Sequence, residues 1–249
     1  MAILELHDIT VDFSGFLALS GLHLTVREGE LRCLIGPNGA GKTTALDVIC
    51  GKTRAASGQV IFDSRDITRL EEHRIARLGI GRKFQVPSVF RELTVRQNLE
   101  VAYCRSPGVM RNLFRFGNSA SSHQLEKLAE LVGLEDAMDR PAGTLSHGQT
   151  QWLEIALLVA QDARLILMDE PTAGMTAQET HKTAVLFNRL KERHTLIVVE
   201  HDMAFIKEIA DIISVMHQGR LLAEGTVPEI ETNAEVRAAY LGSGGISGA

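Results

Sequence analysis

Gly36-Pro37-Asn38-Gly39-Ala40-Gly41-Lys42-Thr43 is the stretch on which the reading of this chain turns. It has the spacing G-x-x-x-x-G-K-[ST]. Glycines there let the backbone curl until successive N–H groups point into one concavity, and a following helix adds its positive N-terminal end. Lys42 supplies a point charge for terminal phosphates, and the Thr43 hydroxyl suits a Mg2+ ligand. Leu31-Arg32-Cys33-Leu34-Ile35 reads as a buried strand feeding the loop. Thr44-Ala45-Leu46-Asp47-Val48-Ile49 reads as the helix leaving it, with Gly51 as its stop. A plain flexible turn would not need this strand–loop–helix setting, so the segment predicts a nucleoside triphosphate site.

The bulk properties narrow the setting. With 249 residues, one large α/β domain has ample core. A net charge of −5 and a pI near 6.0 give no footing for a polyanion, so no nucleic-acid partner is expected. Cys33, Cys50 and Cys104 form no C-x-x-C pair; the first two sit in apolar stretches and read as small core residues in a reduced compartment. No apolar run reaches the ~20 residues that span a bilayer. The first residues lack a basic-then-apolar leader, so membrane association is expected to come through partner proteins. The Gly/Ser/Ala-rich end, 243–249, reads as a flexible tail.

Around the loop, residues 3–13 and 22–26 alternate as half-buried strands do, Arg27-Glu28-Gly29-Glu30 is a turn, and 58–62 is a further strand. The chain then changes character. Thr94-Val95-Arg96-Gln97 has capping-box spacing and opens a helix to about Tyr103. Leu125, Leu128, Leu131 and Val132 share a helical face closed by Gly133, and Trp152, Ile155, Ala156 and Val159 mark another helix. Residues from about 87 to 160 therefore read as a mostly helical insertion. Leu165–Met168 and Thr195–Val199 are continuous apolar runs, as in parallel strands covered on both faces. Thr176-Ala177-Gln178-Glu179 caps the helix between them, and His217-Gln218-Gly219-Arg220 is a hairpin turn.

The run Leu165-Ile166-Leu167-Met168-Asp169-Glu170 ends in two carboxylates, at the strand end where open parallel sheets form their ligand crevice. Asp169 suits the Mg2+ shell and Glu170 an attacking water. Leu145-Ser146-His147-Gly148-Gln149 precedes the Trp152 helix. Ser146 and Gln149 have the spacing of a plain helix cap, and a helix end with a Ser hydroxyl and a Gly amide is also an anion site; the residues alone leave both readings open.

These segments together with His201, after Val198-Val199-Glu200, resemble the ATPase subunits of ABC transporters in order and spacing, over residues 3–242. The resemblance implies an α/β phosphate-loop NTPase with a RecA-like core, an N-terminal antiparallel β-subdomain and an inserted α-helical subdomain. It implies ATP and Mg2+ as ligands and ATP hydrolysis as the activity. Phe13 stands where an aromatic stacks on adenine, with Phe16 as its rival. Gly36 to Thr44, including Pro37, Asn38, Gly39, Ala40, Gly41, Lys42, Thr43 and Thr44, hold the phosphates. Gln85 matches the loop glutamine that touches Mg2+ and senses membrane subunits. Ser146 and Gly148 match residues that contact the γ-phosphate held by the opposite subunit. Asp169 is the metal aspartate, with Thr43 and Gln85 completing the metal set. Glu170, His201 and Lys42 form the catalytic set, and Ala173-Gly174-Met175-Thr176 crosses the dimer seam.

Two positions depart from the pattern: His147 replaces a glycine, and Thr176 stands where an aspartate is usual. Within the family the chain resembles importer ATPases of the branched-chain amino acid and urea group. Gly81–Phe90, Leu145–Glu154 and Glu200–Met203 carry that resemblance, and the HGQ-x-Q-W-L-E run and Tyr240-Leu241-Gly242 point within it to the urea type. Implied partners are a second ATPase subunit, in a homo- or heterodimer, membrane permease subunits and, indirectly, a periplasmic or extracellular solute-binding protein. The implied place is the cytoplasmic face of the membrane. Urea or a related short-chain amide is the first cargo reading and branched-chain amino acids the second. A soluble ATPase of the same type acting on nucleic acid or ribosomes is a weaker rival, since there is one cassette and no basic extension. Arg111, Phe114, Arg115 and Phe116 are expected to face a partner.

Overall fold

In the computed structural model, which describes residues 1–83, 89–103 and 122–241, β1 (Ala2–Phe13) and β2 (Phe16–Arg27) form a long antiparallel ribbon. Ser14 and Gly15 join them at φ 54° and 97°, the paired positive angles of a tight hairpin turn. β2 starts well before the alternation at 22–26. Phe16 and Leu17 at its start are both exposed, so no buried-face pattern announces them. β3 (Leu31–Ile35) feeds the glycine loop, and the helix Lys42–Ile49 leaves it. β4 (Ser57–Phe62) pairs with β1, and β5 (Arg65–Asp66) completes a four-stranded antiparallel sheet of order β2-β1-β4-β5.

A second, six-stranded sheet adds β6 (Ile80–Arg82), β7 (Leu165–Asp169), β8 (Thr195–Val199), β9 (Ile212–His217) and β10 (Arg220–Gly225), in the order β10-β9-β3-β8-β7-β6. β3 runs parallel to β8 and β9, and β7 parallel to β8. All five residues of β3 and of β8 are buried, which is why the 195–199 stretch reads as an apolar run, while β3 buries the charged Arg32 among apolar neighbours. One buried cluster carries Leu6, Leu22 and Val60 of the antiparallel sheet, Leu46 and Ile49 of the helix Lys42–Ile49, and Leu34, Leu167 and Ile197 of the parallel strands. The helix that leaves the glycine loop is thereby fixed by the same core that fixes the strand entering it. Gln218 and Gly219, at φ 49° and 76°, form the expected turn between β9 and β10.

Contacts divide the chain into two compact units. The first holds Met1–Gly81, Arg164–Pro171 and Phe187–Ala249, and so carries the strands just described apart from Arg82 at the end of β6. Within it the guanidinium of Arg32, buried on β3, meets Glu30, Ser214 and Glu224, so the buried charge is paired.

The second unit holds Arg82–Ala163 and Thr172–Leu186. Its helix Val95–Tyr103 begins with the expected box: Gln97 N–H donates to Thr94 Oγ1 at 3.2 Å and Thr94 N–H to Gln97 Oε1 at 2.9 Å. The helix Ser122–Val132 buries Leu125, Leu128, Ala129 and Val132. Leu131, expected on that face, is half-buried; Ala129, one turn from Leu125 and Val132, takes the place. The helix His147–Ala160 is buried over most of its length. Its Trp152 donates Nε1–H to Thr183 Oγ1 at 2.9 Å, on the helix Ala177–Leu190. Trp152→Phe removes that buried donor and is expected to cost about 1 kcal/mol, lowering Tm by roughly 2–4 °C without changing ATP affinity. A circular-dichroism melt alongside a nucleotide titration checks both halves.

Candidate nucleotide site

The glycine loop closes on itself through its backbone. Gly36, Gly39 and Gly41 have φ 151°, 78° and 98°. Gly41 is the N-cap of the helix Lys42–Ile49 and no side chain caps that end, so the first-turn amides face the loop's hollow. The ammonium of Lys42 donates to the carbonyls of Gly36 at 2.7 Å and Pro37 at 3.0 Å, arching over the loop. Burial lowers its pKa, against the opposing pull of Asp169 and Glu170.

The loop is braced from behind by the β9–β10 turn. Gly219 N–H donates to the Ala40 carbonyl at 3.0 Å, and a Cβ on Gly36 would lie 2.2 Å from the Met216 carbonyl oxygen. Gly36→Ala therefore meets backbone that cannot step aside. The expected cost is on the order of 3 kcal/mol together with loss of ATP binding, read by a thermal melt and a nucleotide titration.

The end of β7 brings the carboxylates to this hollow. Thr43 Oγ1 donates to Asp169 Oδ2 at 3.0 Å, across the 126 residues that separate them in sequence. Glu170 takes φ 47°, a left-handed conformation that costs a residue with a Cβ about 1–2 kcal/mol. Its N–H is held by the Val199 carbonyl at 2.9 Å, and its exposed carboxylate lies 3.6 Å from Nδ1 of His201. The strained turn thus points the acid out of the sheet toward the histidine that follows β8.

Phe13 and Phe16, cross-strand partners at the β1–β2 turn, are 51% and 63% exposed. Neither is a core residue. Both line one cleft with Ala18, Asn38, Gly39, Ala40, Gly41, Lys42, Thr43, Thr44, Asp169, Glu170 and Val199. Two aromatic rings, the glycine loop and two acids therefore line the same hollow. Ala18 and Val199 were not singled out from the sequence: their side chains carry no chemistry, and only the fold brings them here.

Ser146, His147 and Gly148 lie in the second unit. Ser146 caps the helix His147–Ala160: Gln149 N–H donates to its Oγ at 3.2 Å, and Ser146 N–H donates to Gln149 Oε1 at 3.1 Å. His147 donates Nε2–H to the Ala173 carbonyl at 3.0 Å, tying the Ala173–Thr176 loop to the helix start. Thr176 caps the helix Ala177–Leu190, its hydroxyl bonded to Glu179 at 3.0 Å. The capping reading of Ser146–Gln149 therefore holds in the folded chain. Gln85, Cys104, Arg111, Phe114, Arg115 and Phe116 lie outside the described residues.

Comparison with known proteins decides the family. Residues 19–173 match the ABC transporter family, and 220–246 match a second family described as branched-chain amino acid ATP-binding cassette transporter. The chain belongs to the ABC transporter ATP-binding family. It is of the branched-chain amino acid type and is an ATP hydrolase whose turnover is coupled to transport. It is 38% identical to the high-affinity branched-chain amino acid transport ATP-binding protein BraF of Pseudomonas aeruginosa, over 96% of this chain and 98% of that one. Against LivG of Escherichia coli K12, which carries the same description, identity is 34% over 96% and 98%. The ADP conformation of an ATP-binding cassette of an ABC transporter superposes with a TM-score of 0.83 at 32% identity, covering 97% of this chain and 99% of the other. As an ABC ATPase the chain has the α/β phosphate-loop fold, with the antiparallel sheet beside the mixed one.

Proposed function

We propose that this ATPase is one half of a clamp that sandwiches ATP between two subunits and drives a membrane importer of branched-chain amino acids. The observation that carries the first part is the open cleft. Phe13, the glycine loop, Asp169 and Glu170 all come from one unit and line a single hollow, while Ser146 and Gly148 belong to another unit. A second copy, or a related ATPase, can bring its own Ser146–Gly148 helix end to the exposed side of the triphosphate.

In this reading residues 3–242 form one cassette, with 87–160 as the helical part that meets the permease. Phe13 stacks on the base, with Phe16 beside it. Lys42 and the loop amides bind the phosphates. Mg2+ fits the donors present: the Thr43 hydroxyl and the Asp169 carboxylate are hard oxygens 3.0 Å apart and would hold it. It would neutralise charge on the phosphates, with Gln85 a further ligand. Glu170 accepts a proton from the attacking water. His201, 3.6 Å away, aligns Glu170 and reaches for the γ-phosphate. Hydrolysis removes the shared phosphate and lets the clamp open.

No helix among the described residues is long and apolar enough to cross a membrane, so attachment at the cytoplasmic face runs through permease subunits. A solute-binding protein delivers the cargo on the other side.

On cargo, urea is displaced as the first reading. BraF and LivG are described as branched-chain amino acid transport proteins, and 220–246 match the family of that description. The local HGQ-x-Q-W-L-E resemblance is short beside a match over 96% of the chain. Deleting the subunit is expected to abolish high-affinity leucine uptake and leave urea uptake unchanged. The reverse result in labelled-solute assays overturns the assignment.

A further inference from the structure

The carboxylate of Glu179 stands where the clamp reading brings an anion. Its Oε2 accepts the Thr176 N–H at 2.9 Å and the Thr176 hydroxyl at 3.0 Å. Its Oε1 accepts the Ser146 hydroxyl at 3.4 Å. A Cβ on Gly148 would lie 2.5 Å from that same oxygen. One carboxylate therefore abuts both residues assigned to the γ-phosphate, at the positive end of the helix His147–Ala160. Hydrogen bonds from Thr176, and then from Ser146, hold the acid below the usual carboxylate range, so it carries its charge at neutral pH. Ser146 has one hydroxyl proton, and its oxygen already accepts the Gln149 N–H at 3.2 Å. That proton cannot serve Glu179 and a phosphate together.

We propose that Glu179 is an internal stand-in for the γ-phosphate: in the separated subunit it satisfies Ser146 and the helix end, and the phosphate held by the other subunit must displace it for the clamp to close. The inference rests on the shared-ATP reading above. Nothing in the glycine loop calls for Glu179, and its sequence signal is only that of a helix cap. The consequence is a charge that works against closure. Two anions compete for one helix end, so the subunit resists dimerising until ATP is plentiful. A side chain at Gly148 would meet the Glu179 carboxylate, which would have to move aside.

The test separates charge from capping. Glutamine serves the same capping position as glutamate, so Glu179→Gln keeps the helix Ala177–Leu190 capped while removing the charge. In the full-length chain carrying Glu170→Gln, ATP with Mg2+ is titrated and dimer is followed by sedimentation velocity. Adding Glu179→Gln is expected to lower the ATP concentration at half-maximal dimer about tenfold. Glu179→Asp, which keeps the charge but withdraws it from Ser146, falls between the two. An unchanged or raised half-point for Glu179→Gln overturns the proposal. Ser146→Arg in the same background tells the two ideas apart. If dimer persists there, the shared-ATP reading itself is wrong. If dimer is lost there while Glu179→Gln changes nothing, only the stand-in role falls.

Discussion

Glu170→Gln is expected to bind ATP as the native chain does, to lose on the order of 10²–10⁴ in turnover, and to accumulate dimer in the presence of ATP and Mg2+. The substitution keeps the shape and removes the charged oxygen that accepts a proton from water. Binding is spared because the phosphate contacts come from the loop amides and Lys42, whose ammonium is positioned by the Gly36 and Pro37 carbonyls. The left-handed turn at Glu170 is set by backbone, with its N–H on the Val199 carbonyl, so glutamine inherits the same aim. Steady-state phosphate release and equilibrium nucleotide binding, measured on one preparation, decide it. Hydrolysis within a few-fold of the native rate would contradict the role given to this acid.

Ser146→Arg is expected to abolish ATPase activity while leaving nucleotide affinity of the single subunit intact. Losing the helix cap costs about 1 kcal/mol, too little to unfold a chain of this size. The long side chain instead obstructs the helix end that must approach a neighbour's triphosphate. Its effect should therefore be invisible at low protein concentration in a binding assay and complete in a turnover assay. A collapse of monomer binding would place Ser146 in its own subunit's pocket.

The legible parts of this molecule are those whose physics is local. The glycine loop could be read because its positive-φ residues, its strand and its helix are contiguous. The caps at Thr94, Ser146 and Thr176 were legible for the same reason: each closes over three residues. β7 and β8 declared themselves because burial on both faces leaves Leu165–Met168 and Leu196–Val199 without a polar position. Longer-range features were silent. Thr43 and Asp169 were each legible as Mg2+ ligands, but the bond between them was not, since periodicity does not relate residues so far apart. The brace of the Met216 carbonyl against Gly36 was not foreseen, because a backbone carbonyl has no sequence signature. Phe16 was ranked behind Phe13, yet the turn makes them neighbours on the same wall. Glu179 looked like a cap and nothing more until the fold set it against Ser146 and Gly148. The short HGQ-x-Q-W-L-E run put urea first, whereas the relatives matched over nearly the whole chain favour the branched-chain amino acid alternative. In the clamp reading no residue of this subunit meets the solute, so its sequence carries no direct cargo signal.

The most direct test is the structure of the Glu170→Gln protein trapped with ATP and Mg2+. We expect the γ-phosphate on the glycine loop of one subunit to lie within hydrogen-bond reach of the Ser146 hydroxyl and the Gly148 N–H of its partner, with two nucleotides buried at the seam. A triphosphate enclosed by a single subunit, with no neighbouring Leu145–Gln149 segment near it, would contradict the clamp.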